Sequence, residues 1–123
     1  MATSGKILIA EDEKPLAKAL ELKLKSAGFD VMTVNDGQEA TDALGKDTFK
    51  LILTDLIMPR VDGWGLLEYA KKNKPDISVI VLSNLGQEED RERANKLGAS
   101  GYYVKADIQL NEVVEHVRKL LGG

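Results

Sequence analysis

Leu51-Ile52-Leu53-Thr54-Asp55-Leu56-Ile57-Met58-Pro59-Arg60-Val61-Asp62-Gly63 is the stretch whose reading decides the fold. Its opening run is apolar without alternation, as in a parallel strand covered on both faces by helices. A carboxylate, Asp55, closes the run. Proline follows, and Asp62-Gly63 then opens a segment with Leu66, Leu67 and Ala70 at helical spacing. A buried strand therefore turns into a helix over a charged side chain.

The same alternation recurs along the chain. Strands are expected at about Lys6–Ala10, Asp30–Val34, Lys50–Thr54, Ile77–Leu82 and Gly101–Val104. The first helix is expected from Pro15, a good first-turn residue, to Gly28, with Leu16, Leu20, Leu24 and Ala27 inward. The second runs over about Gly37–Leu44, with Gly45 as its stop. The third ends before Pro75, and the fourth covers about Glu88–Leu97 and stops at Gly98. The fifth starts after Asp107 as N-cap and carries Leu110, Val113, Val114, Val117, Leu120 and Leu121. Five β-α units in succession predict an α/β fold: a doubly wound parallel five-stranded sheet with right-handed crossovers. The expected organisation is a single domain over 1–123, with residues 1–5 and 122–123 as frayed ends.

Composition narrows the chemistry. With no cysteine there is no disulfide, zinc-thiolate site or cysteine nucleophile, and a single histidine, His116, rules out a multi-histidine metal site within one chain. Seventeen basic against 20 acidic residues leave a net charge of −3, with no sign of a direct nucleic-acid-binding surface. No stretch is long and apolar enough for membrane insertion. The apolar run Ile7-Leu8-Ile9-Ala10 is cut short by Glu11-Asp12, unlike a signal peptide, so a cytoplasmic setting is expected.

The carboxyl ends of strands in such a sheet lie along one edge, where ligands bind. Glu11-Asp12 follows the first strand, Asp55 the third, Ser83 the fourth and Lys105 the fifth. Taken singly, each has an ordinary reading: a turn cap for Asp55, acids at a helix start for Glu11-Asp12, a turn hydroxyl for Ser83, a solvated lysine for Lys105. Together the acids concentrate negative charge that calls for a cation or a proton. A hard divalent ion such as Mg²⁺ takes carboxylates and phosphate oxygens, so the pocket suits a metal and a phosphoryl group.

With these residues in order, and with Asp55-x-x-Met58-Pro59-x-x-Asp62-Gly63 and Gly98-Ala99-x-Gly101-Tyr102 between them, the chain resembles the response-regulator receiver family, the CheY-like phosphoacceptor domains of two-component signalling. The resemblance covers residues 6–121. It implies a flavodoxin/CheY-like sheet in the order 2-1-3-4-5. It implies that Asp55 is the phosphoacceptor, taking a phosphoryl group from a sensor histidine kinase or phosphotransfer protein. Asp12, Asp55 and the backbone carbonyl of Ile57 would hold Mg²⁺ (or Mn²⁺), with Glu11 acting through a bound water. Lys105 would pair with Asp55 and then with the phosphoryl oxygen. Ser83 and Tyr102 would be the switch pair, altering the surface of the fourth helix, fifth strand and fifth helix for a downstream protein or output domain. Such a domain is a switch that catalyses its own phosphorylation and dephosphorylation, and is otherwise no enzyme. A pseudo-receiver, binding partners without phosphate, is the alternative, and the complete acidic set with Ser83 and Lys105 argues against it.

Several local expectations complete the reading. Ala106 replaces the proline usual after Lys105, which predicts a trans bond. Ile57 and Leu85 flank the phosphorylation position with apolar side chains, and Asn84 is larger than usual there. Tyr103 is expected to pack on a helix and Trp64 to lie at the start of the third. His116 is expected at the surface, away from the acidic pocket. Glu89–Arg93 and Glu92–Lys96 have helical salt-bridge spacing.

Overall fold

A computed structural model describes residues 6–58 and 62–122. Residues 1–5 and 123, expected to fray, and Pro59, Arg60 and Val61 lie outside the described residues. The order is β1 (Lys6–Ala10), α1 (Lys14–Ser26), β2 (Asp30–Val34), α2 (Gly37–Lys46), β3 (Leu51–Thr54), α3 (Gly63–Asn73), β4 (Ser78–Ser83), α4 (Glu88–Lys96), β5 (Gly101–Val104) and α5 (Leu110–Leu121). The strands form one parallel sheet in the order β2-β1-β3-β4-β5.

The unbroken apolar runs resolve into two faces, because successive side chains on a strand point opposite ways. Leu8, Ala10, Ile52, Val79 and Val81 pack with Ala40, Ala43 and Leu44 of α2, Leu66, Leu67 and Ala70 of α3, and Ala94 of α4. Ile7, Ile9, Leu51, Leu53, Ile80 and Leu82 pack on the opposite face with Leu20 and Leu24 of α1 and Val113, Val114 and Val117 of α5. Each fully buried Leu or Ile contributes roughly 1.5–3 kcal/mol.

Helix ends follow local chemistry with two exceptions, Gly45 and Asp107. Gly28 and Gly98 take left-handed φ values of 96° and 95° after α1 and α4, as stops require. Gly45 does not stop α2, which continues to Lys46. Burial of Ala43 and Leu44 holds that last turn despite glycine's cost of about 1 kcal/mol in a helix. Asp107 does not cap α5: it lies in a 3₁₀ turn, Lys105–Asp107, and Gln109 holds the N-cap position. Gly122, expected to fray, is instead a left-handed cap of α5 at φ 70°. No cis peptide bond occurs among the described residues, so Lys105–Ala106 is trans as expected. No described helix is long and apolar enough to cross a membrane.

Candidate functional site at the carboxyl edge of the sheet

The register of the central strands assembles the site. Ala10 of β1 pairs with Thr54 of β3, and the Asp55 amide donates to the Ala10 carbonyl at 3.1 Å. The next residues, Glu11 and Asp55, therefore emerge side by side where the chain order reverses, the switch point at which such folds bind ligands. Ligand oxygens of Glu11, Asp12 and Asp55 all lie within 4.8 Å of one another. Glu11 and Asp55 are buried and Asp12 is exposed.

Both oxygens of Asp55 are held. Oδ1 accepts from the amides of Leu56 at 2.7 Å and Ile57 at 3.3 Å, and Oδ2 accepts from Lys105 Nζ at 2.8 Å. Lys105 also donates to Glu11 Oε2 and to Glu13 Oε1, each at 2.9 Å. Burial on its own would lower the Lys105 pKa; the bonds to Asp55, Glu13 and Glu11 outweigh it and raise the pKa above the ordinary lysine value. Burial raises Glu11 above the usual carboxylate range, against the opposing pull of the Glu13 amide and Lys105. Glu11 Oε1 is buried without a hydrogen-bond partner. Such an atom is costly, and a divalent cation between the three acids would satisfy it. The residues present thus fit a hard metal ion.

The loop that supports Asp55 explains the Asp-Gly pair. Asp62 caps α3 by accepting from the Gly65 amide at 2.9 Å. The Gly63 amide donates to the Leu56 carbonyl at 2.9 Å, seating the start of α3 on the backbone just after Asp55.

Ser83 and Tyr102 form a second group. Ser83 Oγ, fully buried, accepts from the Leu85 amide at 3.2 Å, and the Tyr102 hydroxyl donates to the Leu85 carbonyl at 2.5 Å. The two are thus joined through the backbone of one residue, and their hydrogen bonds run to Leu85 rather than to Asp55. The Ile57 side chain is 59% exposed beside the site.

Two contributions escaped the sequence reading. Glu13 reaches Lys105, and its only signal is its place as third acid in Glu11-Asp12-Glu13. Leu85 acts through its backbone, which side-chain identity does not reveal. His116 is not at the open surface: it is half-buried, with Nδ1 2.8 Å from the Tyr103 hydroxyl on β5. Nor do Glu89–Arg93 and Glu92–Lys96 occur among the ion pairs of the described residues. Arg93 lies over the Trp64 ring at 4.1 Å instead, and Arg91 over Tyr102 at 5.1 Å.

Residues 7–118 match the response regulator receiver domain. The chain belongs to that family. This receiver is 39% identical over 100 residues to the "Probable transcriptional regulator ycf27" of Galdieria sulphuraria, an alignment covering 81% of this chain and 39% of that protein. The chain thus spans well under half the length of that relative. Among solved structures, the receiver domain of the Francisella response regulator 1452 superposes with a TM-score of 0.91 at 29% identity, covering 97% of this chain and 98% of that one. The phosphorylated cyanobacterial phytochrome response regulator RcpA gives a TM-score of 0.83 at 28% identity, covering 97% and 94%. Membership makes this a signalling module rather than a conventional enzyme.

Proposed function

We propose that this receiver is a phosphorylation switch whose acceptor is Asp55, within a single domain formed by the whole chain. The observation that carries the reading is the buried Asp55 held between backbone amides and Lys105, beside an acidic cluster with an orphaned oxygen. A carboxylate so placed is a nucleophile with its counter-charges already in position. One Asp55 oxygen attacks the phosphorus of a phosphohistidine on a sensor kinase or phosphotransfer protein. The P–N bond breaks, and the imidazole leaves with the electron pair and takes up a proton.

Asp12, Asp55 and the Ile57 carbonyl would hold Mg²⁺ or Mn²⁺, with Glu11 acting through a water. The ion supplies charge neutralisation at the phosphoryl oxygens, which dominates such transfers. Lys105 stays with the site and donates to a phosphoryl oxygen. Ser83 turns its hydroxyl to another, and Tyr102, tied to the backbone of the same residue, Leu85, follows. The surface made by α4, β5 and α5 then changes for a partner or output domain. The relative named as a transcriptional regulator is more than twice the length aligned, so any DNA contact there falls to us outside this domain. A relative at 28% identity that exists in phosphorylated form supports the reading.

Incubation with acetyl phosphate and Mg²⁺, resolved on a phosphate-affinity gel, should give one shifted band that Asp55→Asn and chelation abolish. Equal labelling of Asp55→Asn would overturn the assignment. No labelling together with no response to BeF₃⁻ would favour a phosphate-independent binding module.

A further inference from the structure

Lys105 has three N–H donors, and three carboxylates accept them: Asp55 at 2.8 Å, Glu11 at 2.9 Å and Glu13 at 2.9 Å. The Lys105 side chain is 6% exposed and those of Glu11 and Asp55 are 1% and 7% exposed, while the Glu13 side chain is 53% exposed. Glu13 lies outside the set Glu11, Asp12 and Asp55 that could share a metal ion. It is therefore a surplus anion, bound to the ammonium that would donate to a phosphoryl group at Asp55. Because it faces water, it can let go of Lys105 at small cost.

We infer that Glu13 is a positioning residue that shares the Lys105 ammonium in the resting domain and thereby slows phosphorylation at Asp55. This rests on the phosphoacceptor reading above. Two effects combine. Glu13 occupies a donor that a phosphoryl oxygen could take, and its charge repels an anionic phosphodonor. The chain carries its own restraint on spontaneous labelling, one that a docked kinase could relieve by engaging the exposed carboxylate.

The test is the rate of Asp55 labelling by acetyl phosphate at saturating Mg²⁺, for wild type, Glu13→Gln and Glu13→Ala. One removed charge within several ångströms predicts acceleration of about threefold to fivefold at low salt. The gain should close as ionic strength approaches about 1 M, where screening acts within about 3 Å. A structural disturbance would not show that salt dependence. Glu13→Ala, which also removes the acceptor, should accelerate in the same way. Variants no faster than wild type at low salt, or a gain that persists at high salt, would overturn the inference. The underlying reading fails separately, if wild type takes no label or Asp55→Asn takes as much.

Discussion

Gly63 sits so close to Asp55 that a Cβ at position 63 would lie 2.0 Å from the Asp55 carbonyl oxygen and 2.5 Å from Leu56 Cα. Both are backbone atoms and cannot swing aside. Gly63→Ala should therefore push the start of α3 off the strand end, costing about 2 kcal/mol or more in urea unfolding and reducing labelling at Asp55. Gly45 is the contrast: nothing lies within 4 Å of a Cβ there, and it sits inside α2. Gly45→Ala should stabilise by about 0.5–1 kcal/mol.

That contrast shows what was legible in the sequence. Strand positions and the cluster of Glu11, Asp12 and Asp55 follow from apolar runs ending in charge, and both were readable; which strand residues face which helix layer was not, because unbroken apolar runs carry no alternation. Gly45 and Asp107 misled because local propensity is weak against burial: Ala43 and Leu44 carry α2 past its glycine, and a 3₁₀ turn after Lys105 delays α5 beyond its aspartate. Tyr103–His116 and Arg93–Trp64 were illegible because each joins separate elements, and no periodicity encodes which side chains meet across them.

Glu11 makes the cation-free protein sensitive to pH. Burial keeps its proton on to higher pH than in the unfolded chain. The folded state thus binds more protons, and stability from this group falls as pH rises through the folded value. Glu11→Gln cannot ionise, so without divalent ions its stability relative to wild type should rise with pH through the folded Glu11 value. Saturating Mg²⁺ should oppose that rise by stabilising wild type alone. Lys105 shifts the other way: its stabilisation is complete below the ordinary lysine range and is lost only as pH rises through its raised value. Thermal unfolding at a series of pH values separates the two.

Helix α4 should open before its neighbours. Only Ala94 is buried along it, and it is otherwise attached by Arg91 over Tyr102, Arg93 over Trp64, and Lys71 Nζ donating to the Lys96 carbonyl at 3.0 Å. Elements with few buried contacts exchange amide protons at low free energy. Hydrogen exchange should run faster in α4 than at Val113–Val117 of α5. Arg93→Ala should lower α4 protection by a further 0.5–1 kcal/mol or so, about the worth of an exposed cation–π contact, and change Trp64 fluorescence.

Loss of the phosphoryl group should be slow. Hydrolysis needs a water placed in line with the Asp55 phosphorus, and the exposed Ile57 and half-buried Leu85 side chains offer no polar atom to hold one. Ile57→Asn with Leu85→Glu should shorten the label's lifetime several-fold in a pulse-chase on phosphate-affinity gels. An unchanged lifetime in the double variant would refute the argument.

The pairing of Ala10 with Thr54 means that the spacing between Glu11 and Asp55 is set by main-chain hydrogen bonds and not by the identity of the residues around them. Core substitutions that keep volume should leave the backbone spacing of the two acids intact, because no core side chain measures out that distance. A single-residue insertion within β1 or β3 would turn one acid to the opposite face while the core lost its alternation. The permitted route to divergence is therefore on the helix exteriors and in the loops away from the carboxyl edge, so partner choice can drift over a reaction centre whose two central acids are spaced by backbone.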